Sequence, residues 1–138
     1  MKKNIFVMIS GILIFTLFSC NDHNSDLDEI KEVNRIAIDS VKLVNDTMQV
    51  FAVQSIITYS DYTSGCEGFY AYDYRRDNFD RYVSTYKFKT DGDCGNSGAY
   101  ATKIDFQPRE TGNYTFKFWQ GTDSENNDIW LEKTVVVE

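Results

Sequence analysis

The chain has 138 residues, a length that corresponds to a single domain. Its 42% hydrophobic and 15% aromatic content excludes an intrinsically disordered chain, and its single Pro and 8 Gly exclude a collagen-like or low-complexity protein. The formal net charge of −7 disfavours phosphate-rich partners, so we predict that the protein does not bind nucleic acid.

The first 19 residues are predicted to be an export signal that does not belong to the fold. Lys2 and Lys3 form a basic start, and an apolar run from Ile5 to Phe18 follows. This run is shorter than the ~20 residues that a helix needs to span a bilayer, which is typical of a cleavable signal peptide. The run ends in Leu17-Phe18-Ser19-Cys20, which resembles the lipobox that the lipoprotein signal peptidase reads, with an unusually bulky second residue.

The lipobox resemblance implies that Cys20 becomes the first residue of the mature protein and carries lipid. Several acyl chains, at ~0.8 kcal/mol per buried methylene, hold a protein durably at a membrane. Cleavage before Cys20 also removes Lys2 and Lys3, which moves the formal charge from −7 to −9. Residues 20–33, which are mostly polar and acidic, are predicted to be a flexible tether, with a short helix over residues 26–33 as the alternative.

Two cysteines remain once Cys20 is assigned to the lipid. Cys66 and Cys94 of an exported protein meet an oxidising compartment, so we predict that they form a disulfide. The loop that they close would stabilise the fold by ~3–4 kcal/mol in the chain-entropy model. A reactive thiol or a metal site would need neighbours that are missing, because the only histidine, His23, lies in the tether.

From Asn34 onwards the sequence predicts β-strands. Runs of alternating or β-branched residues are separated by clusters of turn-forming residues, and no helical periodicity is found. The predicted strands cover residues 36–44, 48–59, 69–74, 81–89, 100–106, 114–118 and 129–137. Seven short strands with regularly spaced turns predict an all-β fold, a β-sandwich over residues 34–138.

One stretch specifies the kind of sandwich. Residues 110–116, ETGNYTF, resemble the tyrosine corner of immunoglobulin-like domains. In that motif Gly112 permits the bend into the penultimate strand, and the Tyr114 hydroxyl bonds to the backbone upstream. The resemblance implies an immunoglobulin-like β-sandwich of about seven antiparallel strands. Because no Trp lies between Cys66 and Cys94, the disulfide is expected to join loops or strand ends and not the two sheets.

A wider resemblance covers the lipobox and residues 106–137. Phe-x-Pro, Gly-x-Tyr and Phe-Trp-x-Gly elements followed by a Val-rich strand are similar to those of small uncharacterised Bacteroidetes lipoproteins with a C-terminal immunoglobulin-like domain. This resemblance implies a lipid-anchored location at the outer membrane, on its periplasmic face or on the cell surface. It also marks Ser40 and Thr47 as candidate O-glycosylation sites, although both also fit ordinary strand and turn positions.

No catalytic arrangement is found in the sequence. His23 is the only histidine, so a Ser-His-Asp or Cys-His arrangement is excluded, and there is no Gly-rich phosphate loop. We predict a protein that is not an enzyme and that uses no cofactor. The Asp- and Asn-rich segments 91–96 and 123–128 contain oxygen ligands that calcium prefers, but the same residues favour tight turns, and we predict no metal site.

The segment from Gly68 to Phe88 contains the candidate binding surface. Tyr and Arg dominate binding hot spots because they combine a large contact area with polar ends. The residues predicted to contact a protein or glycan ligand are Tyr70, Tyr72, Tyr74, Arg75, Arg76 and Phe79. The alternative is that alternate aromatic residues belong to the core and that the charged residues form its solvated edge.

These observations predict a lipid-anchored module of the outer membrane with a binding or structural role. The alternative is an inhibitor of cysteine proteases, because the chagasin family also uses an immunoglobulin-like sandwich and inserts three loops into a protease cleft. Residues 62–65, Tyr-Thr-Ser-Gly, and residues 118–120, Phe-Trp-Gln, partly resemble two loop motifs of that family but lack their prolines.

Overall fold

The computed structural model describes residues 29–92 and 94–138, which form nine β-strands and no helix. The strands are β1 (Ile30–Ile36), β2 (Ser40–Leu43), β3 (Thr47–Met48), β4 (Gln54–Tyr62), β5 (Glu67–Asp77), β6 (Asp80–Thr90), β7 (Gly98–Phe106), β8 (Gly112–Thr122) and β9 (Asp128–Val137). No segment of these two ranges forms a helix that is long and apolar enough to cross a membrane. The predicted signal peptide, Cys20 and His23 lie outside the described residues.

The strands form two sheets, and the predicted all-β sandwich is confirmed. In the larger sheet β1, β6, β8, β9 and β3 follow one another, and β5 pairs along the whole of β6. On the other edge of β6, β8 pairs with its first half and β1 with its second half. The smaller sheet has the order β2-β4-β7. The described residues thus contain nine strands in place of about seven, and two pairings, β3 with β9 and β6 with β8, are parallel.

The core lies between the two sheets, where alternate residues of the strands face one another. Tyr114, Phe116 and Phe118 of β8 are almost completely buried, as the alternation in the sequence predicts. The Phe106 ring of β7 packs edge-on against Tyr114 and Phe116, with centroid distances of 5.0 and 4.9 Å. Each large apolar side chain buried in this way contributes roughly 1.5–3 kcal/mol, so this aromatic cluster is a main source of stability.

The first strand begins earlier than the sequence indicates, because pairing with β6 already starts at Ile30. Residues 30–33 are all exposed, so this part of β1 lacks the alternating burial by which a strand is recognised in a sequence. Strand β1 therefore begins four residues before the predicted start of the domain at residue 34. The expected strand over residues 36–44 is also divided, since β1 ends at Ile36 in the larger sheet and β2 starts at Ser40 in the smaller one.

The predicted strand over residues 48–59 is also divided between the two sheets. Met48 ends β3, which pairs with β9 in the larger sheet, whereas Gln54 begins β4 in the smaller sheet. The chain crosses between them through Phe51, which has a φ of 65° and is 65% exposed. Apolar β-branched residues continue through this crossing, and their pattern does not specify which sheet each residue joins.

The tyrosine corner forms at the start of β8. The Tyr114 hydroxyl donates a hydrogen bond to the carbonyl oxygen of Glu110 at 3.0 Å, which is the bond that the sequence motif predicts. Gly112 has a φ of 150°, and a Cβ atom at this position would lie 2.6 Å from the Phe79 ring. A glycine is therefore required here both by the backbone conformation and by the close approach of the ring.

Cys66 and Cys94 form the predicted disulfide, with a Cα–Cα distance of 4.9 Å. It joins the β4–β5 turn to the β6–β7 connection, so it links loops and not the two sheets. The Thr90 amide, at the end of β6, donates to the Cys66 carbonyl at 3.0 Å, and Ile30 pairs with Thr90. The chain therefore enters the domain at the disulfide end of the sandwich, and the β5–β6 turn lies at the opposite end.

Candidate functional site

Strand β5 carries most of the residues that the sequence predicts to bind a ligand, but it divides them between its two faces. Tyr72 and Tyr74 face the smaller sheet and pack against the core, whereas Arg75 lies on the outer face with its guanidinium 4.4 Å from the centroid of the Tyr82 ring. Tyr70 lies at an irregularity in the pairing and is 52% exposed. Phe79 packs edge-on against the core residue Tyr114. The six residues do not form one continuous surface.

Three of these residues, Tyr72, Tyr74 and Arg76, line a cleft of about 560 Å³. The cleft lies between β5 and β7, which are the edge strands of the two sheets, so the sandwich is open on this side. The other walls come from β6, from the end of β7, from the β7–β8 loop and from Tyr114. Their residues are Arg81, Lys103, Ile104, Asp105, Phe106, Gln107, Pro108, Arg109, Glu110 and Tyr114.

The wall of the cleft is fixed by a hydrogen-bond network between the sheets. The Tyr72 hydroxyl lies 2.6 Å from the hydroxyls of both Thr58 and Thr102, which are 3.1 Å from each other. Thr58 and Thr102 belong to the smaller sheet and Tyr72 to the larger one, so this triangle connects the two layers beside the cleft. A polar network that is satisfied in this way holds its side chains in one arrangement.

The cleft is rich in positive charge, although the protein as a whole is acidic. Its four basic side chains are Arg76, Arg81, Lys103 and Arg109. Lys103 forms a salt bridge of 3.3 Å with Asp105. Within residues 29–92 and 94–138, no carboxylate lies within 4 Å of the guanidinium nitrogens of the three arginines. The three arginines of the cleft are therefore not paired with a carboxylate of the described residues, although Asp105 and Glu110 also line it.

Arg81 is the least exposed of these basic residues, at 8%. Its Nη1 donates to the carbonyl oxygens of Asn78 and Asp80 at 2.6 and 2.9 Å, and its guanidinium lies 4.8 Å from the centroid of the Tyr114 ring. Sequence reasoning missed this residue. The available signal was its place at the start of a predicted strand, two residues before the apolar Val83, which puts both side chains on the same face of the strand.

Tyr74 lies beside this charge. Burial raises the pKa of the Tyr74 phenol above its ordinary value of 10.0, and the neighbouring charges of Arg81 and Arg76 only partly oppose that effect. The phenol therefore stays protonated at neutral pH, when its hydroxyl is able to donate a hydrogen bond as well as accept one.

A second aromatic and charged cluster occupies the outer face of the larger sheet. The Arg35 guanidinium stacks 3.9 Å from the centroid of the Trp119 ring and lies 5.6 Å from that of Trp130. Arg35 Nη1 and Trp119 Nε1 both donate to Asp128 Oδ1, at 3.2 and 2.7 Å, and Arg35 Nη2 donates to Ser84 Oγ at 2.6 Å. Both Nη atoms of Arg35 are paired in this way, whereas its buried Nε has no hydrogen-bond partner among the described residues. We interpret the cluster as a clamp that holds β1 on the sheet.

The remaining predicted sites have less distinctive surroundings. Trp119 lies within strand β8 and Tyr62 is 1% exposed, so these parts of the two inhibitor-like motifs do not project from loops.

The candidate glycosylation sites Ser40 and Thr47 are both exposed at the first residues of their strands. Asp123 Oδ1 accepts the backbone amides of Glu125 and Asn127 at 2.8 Å, which is the geometry of a tight turn. No group of three or more potential metal ligands occurs among the described residues.

Comparison with known proteins gives no match: no protein-family model, no curated protein and no solved structure is significantly similar to the chain.

Proposed function

We propose that the protein is a lipid-anchored binding module of the outer membrane that holds its ligand in the cleft between β5 and β7. The observation that carries the binding role is the cleft itself, which combines arginine charge with ordered tyrosines. Its volume of about 560 Å³ lies within the roughly 300–1,000 Å³ typical of ligand sites. The lipobox-like residues Leu17 to Cys20 support the anchor.

The position of the cleft relative to the tether fits this role. The tether joins the domain at the disulfide end, whereas the cleft occupies the half of the sandwich that contains the β5–β6 turn and the β7–β8 loop. The 11 residues of β6 connect the two ends, and at about 3.4 Å per residue they separate them by roughly 35 Å. A domain anchored through Cys20 would thus present the cleft away from the membrane that holds it.

The anchor is tested by fractionating cells that produce the full-length protein or a Cys20→Ser variant whose residues 1–19 are replaced by an export signal that is cleaved without a lipobox. We expect the unaltered protein in the membrane fraction, released by detergent, and the variant in the soluble fraction, because serine lacks the thiol that receives the lipid. Ser19→Ala is the matched control, since alanine keeps the small residue of the lipobox and should leave the protein at the membrane. A Cys20→Ser variant that still sediments with membranes would refute the lipid anchor.

A further inference from the structure

We propose that the ligand of the cleft is a saccharide that carries an anionic group, either a carboxylate or a sulfate, and that Arg76, Arg81 and Arg109 recognise that group. This inference rests on the proposed function, because it names the ligand class of the same cleft.

The charge of the cleft selects an anion. A buried guanidinium is costly to maintain without a counter-charge, and the backbone carbonyls of Asn78 and Asp80 satisfy only Nη1 of Arg81. Arg81 also interacts with the Tyr74 hydroxyl, but its guanidinium carries five N–H donors, so some of them stay available on the wall of the cleft. The planar guanidinium fork matches the paired oxygens of a carboxylate or a sulfate, so an anion of this shape is the expected partner.

Arg76 and Arg109 add two positive charges at the solvent-exposed side of the cleft. Both are exposed and line the cleft, and the Arg76 guanidinium lies 5.8 Å from the centroid of the Tyr74 ring. Together with Arg81 they surround one side of the cleft with three positive charges. Low-dielectric walls focus such a field and raise the local concentration of an anionic ligand.

The acceptors in the cleft indicate that the ligand also carries hydroxyl groups. Glu110 contributes a carboxylate to the rim, which would repel a ligand that is anionic throughout but accepts hydrogen bonds from hydroxyls. The Gln107 amide nitrogen donates to the carbonyl oxygen of Phe51 at 2.9 Å, which orients the side chain and leaves its own oxygen as an acceptor. A saccharide with one anionic group per unit satisfies both the basic and the acidic side chains.

The strand edges argue against an extended peptide as the ligand. A peptide that adds a strand needs a flat edge that is free to pair. The β5 edge is interrupted by an irregularity between Phe69 and Ala71, and it carries charged residues from Asp73 to Asp77. Lys103 and Asp105 place charges along β7. Charged and irregular edges discourage strand addition, so recognition through side chains is favoured over recognition through the backbone.

The proposal is tested by calorimetric titration of the full-length protein in detergent. The saccharides are oligogalacturonate, a sulfated oligosaccharide and, as the neutral counterpart, oligogalactose of the same length, and oligoglutamate is titrated as an acidic peptide. We expect at least one anionic saccharide to bind at least about tenfold more tightly than the neutral one, since charge-assisted hydrogen bonds supply the difference. The carboxylate and sulfate arms identify which anionic group is preferred.

Substitution of neighbouring arginines locates the binding. Arg76→Gln and Arg109→Gln remove exposed charges of the cleft and should each weaken binding by about tenfold. Arg75→Gln is the matched control, because it removes the same charge from the adjacent residue on the opposite face of β5, and it should change the affinity by less than about twofold. Arg81→Gln should weaken binding most, and the two exposed variants decide the question if Arg81→Gln does not fold.

Several results would overturn the inference. They are equal affinity for the neutral and anionic saccharides, no binding of any of the three, an equal loss in Arg75→Gln and Arg76→Gln, and binding of an acidic peptide such as oligoglutamate in place of the saccharides. Each of these outcomes leaves the fractionation result with Cys20→Ser unchanged. A failure of the ligand assignment is therefore distinguishable from a failure of the lipid anchor.

Discussion

Tyr114 connects the tyrosine corner to the candidate site. Its hydroxyl bonds to the Glu110 carbonyl, while its ring contacts the exposed Phe79 and the core residue Phe106 and lies beneath the Arg81 guanidinium. A cation placed over an aromatic face gains electrostatic stabilisation, so the ring supports the buried charge of the cleft. The motif that fixes the bend into β8 thereby also builds one wall of the cleft.

Gly112 is the residue on which this corner depends. We predict that Gly112→Ala lowers the free energy of unfolding by about 1–3 kcal/mol, because a side chain is strained at φ 150° and the new Cβ would meet the Phe79 ring. Gly98→Ala is the control, since a Cβ there would have no atom within 4 Å. Urea unfolding of both variants measures the difference. An equal effect of the two substitutions would contradict the role of Gly112.

Individual residues of the site differ in how far the sequence predicts them. Tyr114 and Gly112 belong to a local motif, and the bond to Glu110 spans only four residues, so the sequence is sufficient to find them. Arg81 acquires its burial from contacts with distant elements, above all Tyr114. The sequence places Arg81 on the same face of the strand as Val83, but it does not indicate that a charged side chain is buried there.

The first residues of strand β1 are not predicted from the sequence, because they do not alternate between buried apolar and exposed polar side chains. Its first five residues are exposed, and it is held by backbone pairing with β6 and by the stacking of Arg35 on Trp119. Arg35 also bonds to Asp128 and Ser84, so one side chain of β1 contacts three other strands. We infer that this single residue contributes much of the attachment of the strand to the sheet.

Arg35→Ala is therefore predicted to loosen β1 without unfolding the rest of the sandwich. Loss of the stacking and of the charged hydrogen bonds should lower the local opening free energy by about 1–2 kcal/mol, which corresponds to an increase in amide exchange along β1 of about 5- to 30-fold. Hydrogen exchange monitored by mass spectrometry or NMR measures this. Arg75→Ala also removes an arginine stacked on an aromatic ring of the outer face and should leave β1 unchanged. Uniformly faster exchange in β1 and β8 would show that Arg35 acts on the whole fold.

At the level of strands, the sequence predicts most accurately where alternation is strict. Strands β7, β8 and β9 lie where the pattern places them, whereas residues 36–44 and 48–59 each contain a crossing between sheets. Predicting the cleft would also require knowing which sheet each strand joins. Tyr72 and Tyr74 are recognisable as candidates, but Lys103 and Arg109 join them only because β5 and β7 are the edges of opposite sheets.

In the whole molecule, the charge distribution is the feature most relevant to function. The formal charge is −7, yet the arginines Arg76, Arg81 and Arg109 meet in one cleft without a carboxylate partner among the described residues. An acidic surface repels anions in general, so a basic cleft within it favours ligands that combine an anionic group with neutral polar groups. The disulfide lies at the end of the sandwich where β1 begins, so it does not obstruct the half of the sandwich that contains the cleft.

The central claim, that the cleft is the ligand site, is tested most directly by an NMR titration of the full-length ¹⁵N-labelled protein in detergent micelles. Each anionic saccharide is added in turn while the amide and indole signals are followed. We predict shifts at the amides of Tyr72, Tyr74 and Arg76 and of residues 103–107, 109 and 110, all of which line the cleft, and unchanged indole signals of Trp119 and Trp130 on the outer face. Shifts centred on the two indoles, or no shifts in the cleft at millimolar saccharide, would contradict this assignment.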